Sequence, residues 1–298
     1  MQRLPVIGQS FTHSAFEAVQ QAALAAVGLP IRIERWDRKP HQLSAAIDEL
    51  RSDEFAGALI AQPHKEKAVG LMPSLSDDAR RAGAVNVVVQ DGGRLRGHNT
   101  DVDGLRAGIE ALLADAHGAW PRHAVVLGAG GGARAAVSVL IAGEMQRIAV
   151  FNRHLYRAES LVAHFARGAR TIDLRAMPWH ETILEAELSK AGLLVNASGI
   201  GVEEGDEAIP AALLPERLFL LDLVLDRPST PLMAEVQARS GAVANGQASF
   251  LASSAATFQL LTGRAAAVEV MRSALAEALA EASAEAPGEP QGAALVGD

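Results

Sequence analysis

The stretch HAVVLGAGGGARA, residues 123–135, decides how this chain is read. An apolar run enters a glycine cluster and leaves as a small-residue segment of helical character. Gly128, Gly130 and Ala133 fit the pattern G-x-G-x-x-[GA], the dinucleotide fingerprint of a strand–turn–helix unit. Gly128 allows the tight turn, Gly130 lets the backbone approach a pyrophosphate, and Ala133 lets the helix pack close to the strand. Ala129, Gly131 and Gly132 complete the turn. The phosphates are expected at the helix N-terminus, where free N–H groups and the helix dipole favour anions. The next apolar run, RIAVF at 147–151, is followed by Asn152, Arg153 and, four residues on, Arg157. An NAD-selective site carries an acid there for the ribose hydroxyls. Two guanidiniums instead suit a 2′-phosphate through charge-assisted hydrogen bonds, so the expected cofactor is NADP.

The unit begins only after residue 122 of 298. That length allows two modest cores, and the preceding segment is expected to form a substrate domain. Hydrophobic residues make up 49% and charged residues 21%, an ordinary globular balance. A net charge of −8 argues against a general nucleic-acid binder. The absence of cysteine excludes disulfides and thiolate metal sites. The opening MQRLPVIGQS lacks a leader pattern. The apolar run 124–145 contains Arg134 and the glycine cluster and reads as a buried strand and helix, not a membrane span. A cytoplasmic protein, monomeric or homodimeric, is expected.

Strand signals lie at 4–7, 31–36 and 57–61, and helical periodicity at 14–27 and 41–51. Residues 85–90 and 94–97 flank Asp91-Gly92-Gly93 as a hairpin. Alternation of this kind predicts an α/β unit with a mainly parallel sheet. A helix over 103–114 follows. Beyond it, short apolar strands end at Gly128, Phe151, Asn196 and Asp222, the pattern of a Rossmann-type doubly wound sheet. Helices are expected at 248–261 and 265–280. The expected division is a substrate domain over 1–104 completed by helices within 245–283, an NADP-binding domain over 105–244, and a disordered tail over 284–298, where Pro, Gly and Ala mix without period.

Two ionisable residues follow apolar strands in the first unit. Lys65 comes after Gln62-Pro63-His64, and Asp101 closes Gly97-His98-Asn99-Thr100-Asp101. A lysine beside an acid is the minimum needed to move an alcohol proton while a hydride leaves carbon. Taken alone, Lys65 also reads as an exposed lysine, with Glu66 and Lys67 next to it, and Asp101 as a helix N-cap.

The ordered set Gly8…His13-Ser14, Pro63-x-Lys65, Gly83-Ala84-Val85-Asn86, Asn99-Thr100-Asp101, Gly128-Ala129-Gly130-Gly131, Asn152-Arg153, Asn196-Ala197-Ser198, Asp222 and Asn245-Gly246 resembles the shikimate dehydrogenase family from residue 6 to about residue 260. The resemblance implies an inserted NADP domain and reversible hydride transfer between NADP and a ring hydroxyl of a small cyclic polyol acid. It implies that Lys65 and Asp101 form a catalytic pair and that Asn86 binds substrate hydroxyls. It further implies substrate contacts from the positions of Ser14, Phe16, Ala61, Leu225 and Ser253, and that Ser198, Leu223 and Gly246 line the cofactor groove.

The departures share a direction. Phe16 stands where the family usually has a second serine, followed by Glu17 in place of proline. Leu59 and Ala61 replace polar residues before the lysine, Leu225 replaces a tyrosine, and Ser253 a glutamine, with Gln247 nearby. Each lost polar contact in a desolvated site is worth ~1–3 kcal/mol. These changes raise a paralogue acting on quinate or another cyclic polyol as an alternative, and an NADP-binding sensor without turnover as another. His13, His64 and His98 lack metal-ligand spacing and are expected as loop histidines beside the cleft, with no metal.

Overall fold

The computed structural model describes residues 1–9, 15–114, 120–166, 168, 171–201 and 206–285, the side chains of 283–285 excepted. The first sheet opens with β1 (Gln2–Gly8), a run buried from Leu4 to Gly8. β1 lies at the sheet interior, parallel to both β2 (Ile31–Asp37) and β3 (Gly57–Ile60). β3 is buried at all four positions, which suits a strand covered on both faces. The hairpin strands β5 (Val87–Asp91) and β6 (Arg94–His98) add antiparallel, and a two-residue β4 (Ser74–Leu75) pairs parallel with β6. The order is β2-β1-β3-β5-β6-β4. This sheet is more mixed than the alternation predicts, because the tight Asp91–Arg94 connection can only reverse the chain. Helices α1 (Ala15–Ala26), α2 (Leu43–Glu49), α3 (Lys65–Val69) and α4 (Asp77–Ala82) complete the unit.

α5 (Asp101–Leu113) then leads to the second sheet. Its strands are β7 (His123–Leu127), β8 (Arg147–Asn152), β9 (Asp173–Pro178), β10 (Leu193–Asn196), β11 (Phe219–Asp222) and β12 (Ala242–Ala244). All pairings are parallel, in the order β12-β11-β10-β7-β8-β9. This is the doubly wound order, with its reversal between β7 and β10. The intervening helices are α6 (Gly131–Ala142), α7 (Leu155–Phe165), α8 (Glu181–Leu188) and α9 (Pro231–Ala238). Ala124, Val126, Ala133, Ala136, Val137 and Leu140 share one core on the α6 face. Val125, Leu127, Phe151, Leu194 and Leu220 share another on the opposite face. β9 and β12 escape the sequence reading because they are edge strands, short or half-exposed, with weak alternation.

The chain finally returns to the first unit. α10 (Gly246–Thr262) and α11 (Val268–Glu285) follow the second sheet. Leu251 and Phe258 of α10 and Met271, Leu275 and Ala278 of α11 are buried with Ala15, Val19, Ala23 and Leu24 of α1. Full burial of each large apolar side chain contributes about 1.5–3 kcal/mol. α5 and α10 touch at glycines. A Cβ on Gly104 would lie 2.2 Å from the Ser249 carbonyl oxygen, and one on Gly108 2.1 Å from Ser249 Oγ. α11 runs through 284 and 285, which the sequence assigns to the tail, and the remainder of that tail lies outside the described residues. Among the described residues no helix is long and apolar enough to cross a membrane.

Candidate active site

Lys65 is half-buried, not the exposed lysine that its neighbours suggest. It is the first residue of α3, directly after the turn that follows β3. Asp101 is likewise the first residue of α5 and not its N-cap, a position held by Thr100. The helix therefore starts two residues before the predicted 103 and runs through the expected boundary at 104. These placements bring the two side chains together, with Lys65 Nζ donating to Asp101 Oδ2 at 2.6 Å. Each is 20% exposed, open enough to meet a ligand and covered enough to limit competition from water.

Asn86, at the entry to β5, fixes Asp101 from the other side. Its Nδ2 donates to Asp101 Oδ1 at 2.9 Å and to Thr100 Oγ1 at 2.8 Å, while its Oδ1 accepts the Thr100 N–H at 2.8 Å. Thr100 Oγ1 also lies 3.1 Å from Ser253 Oγ and 2.8 Å from Thr257 Oγ1 on α10. Ser253 Oγ donates to Asp101 Oδ1 at 3.5 Å. A buried, partnered network of this kind restricts its members to one arrangement. Asn86 and Ser253 are thus committed largely to holding Asp101.

A cleft of about 570 Å³ lies over this network. Phe16, Ala61, Lys65, Asn86, Asp101, Leu225 and Ser253 all line it, together with Gly132, Leu223 and Gly246 from the expected cofactor set. Ser14 and His13 fall outside the described residues. The sequence reading missed Gln62, Glu17, Asp226, Ser249 and Phe250 as lining residues. Only Gln62 carries a signal, its place in the turn just after β3. His64 is not a cleft histidine: it is fully buried, with Nε2 2.7 Å from the Arg38 carbonyl oxygen. His98 is the last residue of β6, not a loop residue. Burial, aided by the charge of Arg96, lowers its imidazole below the ordinary 6.5.

The glycine turn faces the same cleft. Gly128 has φ +103°, and a Cβ there would lie 2.4 Å from the Ala197 carbonyl oxygen. Ala129 and Ala133 are buried in the core, which accounts for their small side chains. Gly130 caps α6 without any side chain bonded to the first turn. Its leading N–H groups, with the helix dipole behind them, suit an anion. A Cβ on Gly131 would lie 2.9 Å from Lys65 Cδ, and one on Gly246 2.7 Å from the Leu223 carbonyl oxygen. The bare backbone therefore forms a cradle that side chains would fill, and this fits a dinucleotide pyrophosphate.

The strand ends beside the cradle are held from within. Asn196 Nδ2 donates to Asp222 Oδ1 at 3.0 Å, and Asn196 Oδ1 accepts from Ser198 N–H at 3.2 Å and Ser198 Oγ at 2.6 Å. Ser198 is thus occupied by its own turn. Burial raises the Asp222 carboxyl above its ordinary value, against hydrogen bonds from Thr230, the Val224 N–H and Asn196. At the end of β8, Asn152 Nδ2 is buried without a partner. Arg153 is exposed beside a separate hollow of about 640 Å³ that includes Trp179, His180 and Thr182. Arg157 reaches across to Glu66 on α3 at 3.5 Å, and buried Arg134 of α6 meets the same carboxylate at 3.2 Å. No sequence signal announces this ion-paired junction.

Fold and site together define a two-lobed oxidoreductase in which a dinucleotide-binding sheet faces a lysine–aspartate pair across a cleft. Residues 6–88 match the family described as shikimate dehydrogenase substrate binding domain, and residues 114–192 match shikimate/quinate 5-dehydrogenase. The chain belongs to the shikimate dehydrogenase family. It is 34% identical over 274 residues to the shikimate dehydrogenase (NADP(+)) of Symbiobacterium thermophilum, covering 91% of this chain and 92% of that relative. The shikimate 5-dehydrogenase of Thermus thermophilus, solved with NADP(H) and shikimate, is 33% identical with a TM-score of 0.76, covering 93% of this chain and all (100%) of that one. The quinate dehydrogenase of Corynebacterium glutamicum, solved with NAD, is 26% identical with a TM-score of 0.83, covering 93% and 99%.

Proposed function

We propose that this protein transfers a hydride reversibly between NADP(H) and a ring hydroxyl of shikimate, or a close analogue, giving the corresponding ring ketone in the oxidative direction. The observation that carries the reading is the Lys65–Asp101 pair at 2.6 Å, whose lysine stem lies against Gly131 at the open end of α6. That contact supports the reading, because it sets the Lys65 side chain beside the glycine turn. Bound NADP supplies the hydride acceptor in its nicotinamide ring.

In oxidation, Lys65 in its amine form takes the hydroxyl proton while the C–H bond of the same carbon releases its hydride. In reduction, the Lys65 ammonium returns a proton to the ketone oxygen. Asp101 holds the ammonium, and Asn86 orients Asp101 through its Nδ2 while its Oδ1, which has a second lone pair, accepts from a neighbouring ring hydroxyl. Phe16, Ala61, Leu225 and Ser253, with Ser14, shape the substrate side. Gly128 to Ala133 carry the pyrophosphate, with Leu223, Gly246 and Ser198 along the groove. Asn152, Arg153 and Arg157 take the adenosine 2′-phosphate. The first sheet with α10 and α11 holds substrate, and the second sheet holds cofactor.

A second reading, a quinate or other cyclic polyol dehydrogenase, is favoured by the apolar residues Phe16, Ala61 and Leu225 in the cleft and by the likeness to the Corynebacterium enzyme. Initial-rate NADPH formation across shikimate, quinate and related ring alcohols, with Lys65→Ala as blank, tests both. Turnover in the wild type is expected with at least one of them. The variant should lose roughly 10²–10⁴-fold in kcat while keeping the NADP-induced rise in melting temperature. Undiminished turnover in Lys65→Ala would remove Lys65 from the chemistry.

A further inference from the structure

The cleft is chemically lopsided. The Lys65–Asp101–Asn86 network forms one wall. Elsewhere in the lining, Phe16 packs with Val6, Leu59 and Ala61, and Phe250 packs with Leu225. Phe16 and Phe250 meet edge to face with ring centroids 6.0 Å apart, which joins the two groups into one apolar surface. All of these residues line the cleft.

Charge points the same way. Among the described lining residues Lys65 is the only cation, and Asp101 already holds it at 2.6 Å. The acidic side chains of Glu17 and Asp226 also line the cleft. Arg35 is bonded to the Glu17 carboxylate at 2.5 Å. A carboxylate set against this surface would therefore leave water for apolar carbon, near acidic groups and with no further cation among the described lining residues. Transfer of an unpaired anion to such a surface is strongly unfavourable. A neutral group would lose far less on desolvation and would gain the contact with the two rings.

We infer that the ring alcohol oxidised here carries a neutral, apolar-surfaced end group, such as an ester, in place of a free carboxylate. This rests on the dehydrogenase reading above and specifies its substrate class. The end group does not react: the ring C–H gives its hydride to NADP, the O–H proton passes to Lys65, and the product is the ring ketone with the end group intact.

The test compares shikimate with its methyl ester, which share the ring and the reacting hydroxyl. The expected result is a kcat/KM at least tenfold higher for the ester. An acid used as well as the ester, or better, overturns the inference, as does a clear preference for an amine-bearing analogue. Phe16→Ala is expected to narrow the ester-to-acid ratio at least threefold, whereas an unchanged ratio would overturn the role given to this wall. If neither compound is oxidised, the dehydrogenase reading fails for this ring, and calorimetric binding to the NADP-loaded protein decides the inference separately. Tighter binding of the ester sustains it. Equal or tighter binding of the acid, or no binding of either, overturns it.

Discussion

At the scale of single residues, the site depends on which polar atoms are already spoken for. Asp101 accepts from Lys65 through Oδ2 and from Asn86 and Ser253 through Oδ1. Its orientation is set before any ligand arrives, the kind of preorganisation that lowers the cost of reaching a reactive geometry. Lys65, Asn86 and Asp101 were legible in the sequence as residue types in a family order. Their mutual bonds, and the diversion of Ser253 into the same network, were not, because α10 lies some 150 positions from Asp101 in the chain (the Ser253 contact spans 152). His98 gives a pH prediction. Its imidazole is held below the ordinary 6.5 by burial and by Arg96, so the unfolded chain takes up a proton first as the pH falls. Stability that is present above about 6.5 is then lost as the pH falls through the lower, folded value. His98→Gln removes this contribution. Thermal melts at pH 7.5 and 5.5 should show a smaller loss in the variant than in the wild type, and equal losses would contradict the assignment.

At the scale of elements, close backbone contacts do what side chains cannot. α5 and α10 approach at Gly104, where an added Cβ would stand 2.2 Å from the Ser249 carbonyl oxygen. Gly104→Ala must push the helices apart, with an expected cost of about 1–3 kcal/mol visible in denaturant unfolding. An unchanged midpoint would mean that the helix pair has slack. Gly131 differs, because the neighbour there is the flexible stem of Lys65 at 2.9 Å. Gly131→Ala should leave the melting temperature nearly unchanged while lowering kcat several-fold, since a misplaced catalytic group costs rate steeply. A full loss of folding, or a wild-type kcat, would each refute that view of the contact. The apolar strands β7, β8, β10 and β11 were readable because a strand buried on both faces is a continuous apolar run. β9 and β12 were not, since an edge strand needs no such run. The start of α5 at Asp101 was missed because Asn99, Thr100 and Asp101 in succession read as a cap before a helix.

At the scale of the whole molecule, Glu66 links the two halves next to Lys65. It meets Arg134 at 3.2 Å and Arg157 at 3.5 Å, and Arg157 is one of the residues proposed for the cofactor's 2′-phosphate. Glu66 and that phosphate would therefore compete for the same guanidinium. Glu66→Gln should tighten NADP binding about two- to fivefold, in line with the ~0.2–1 kcal/mol of an exposed ion pair, and leave NAD binding as it was. An equal change for both cofactors would dismiss the competition. The same variant should melt lower, because the Arg134 side chain, 7% exposed, loses its partner. By itself the sequence determined the doubly wound second sheet, the glycine turn, the basic pair after β8 and the residues of the lysine–aspartate–asparagine set. Each of these rests on local spacing and on the period of apolar residues, which neighbours in the chain fix. Only the tertiary structure decided that α10 and α11 close back on α1, that Phe16 and Phe250 join into an apolar wall, and that Glu66 bridges to α6 and α7. These depend on contacts between distant segments, where shape and burial select partners that spacing along the chain does not encode.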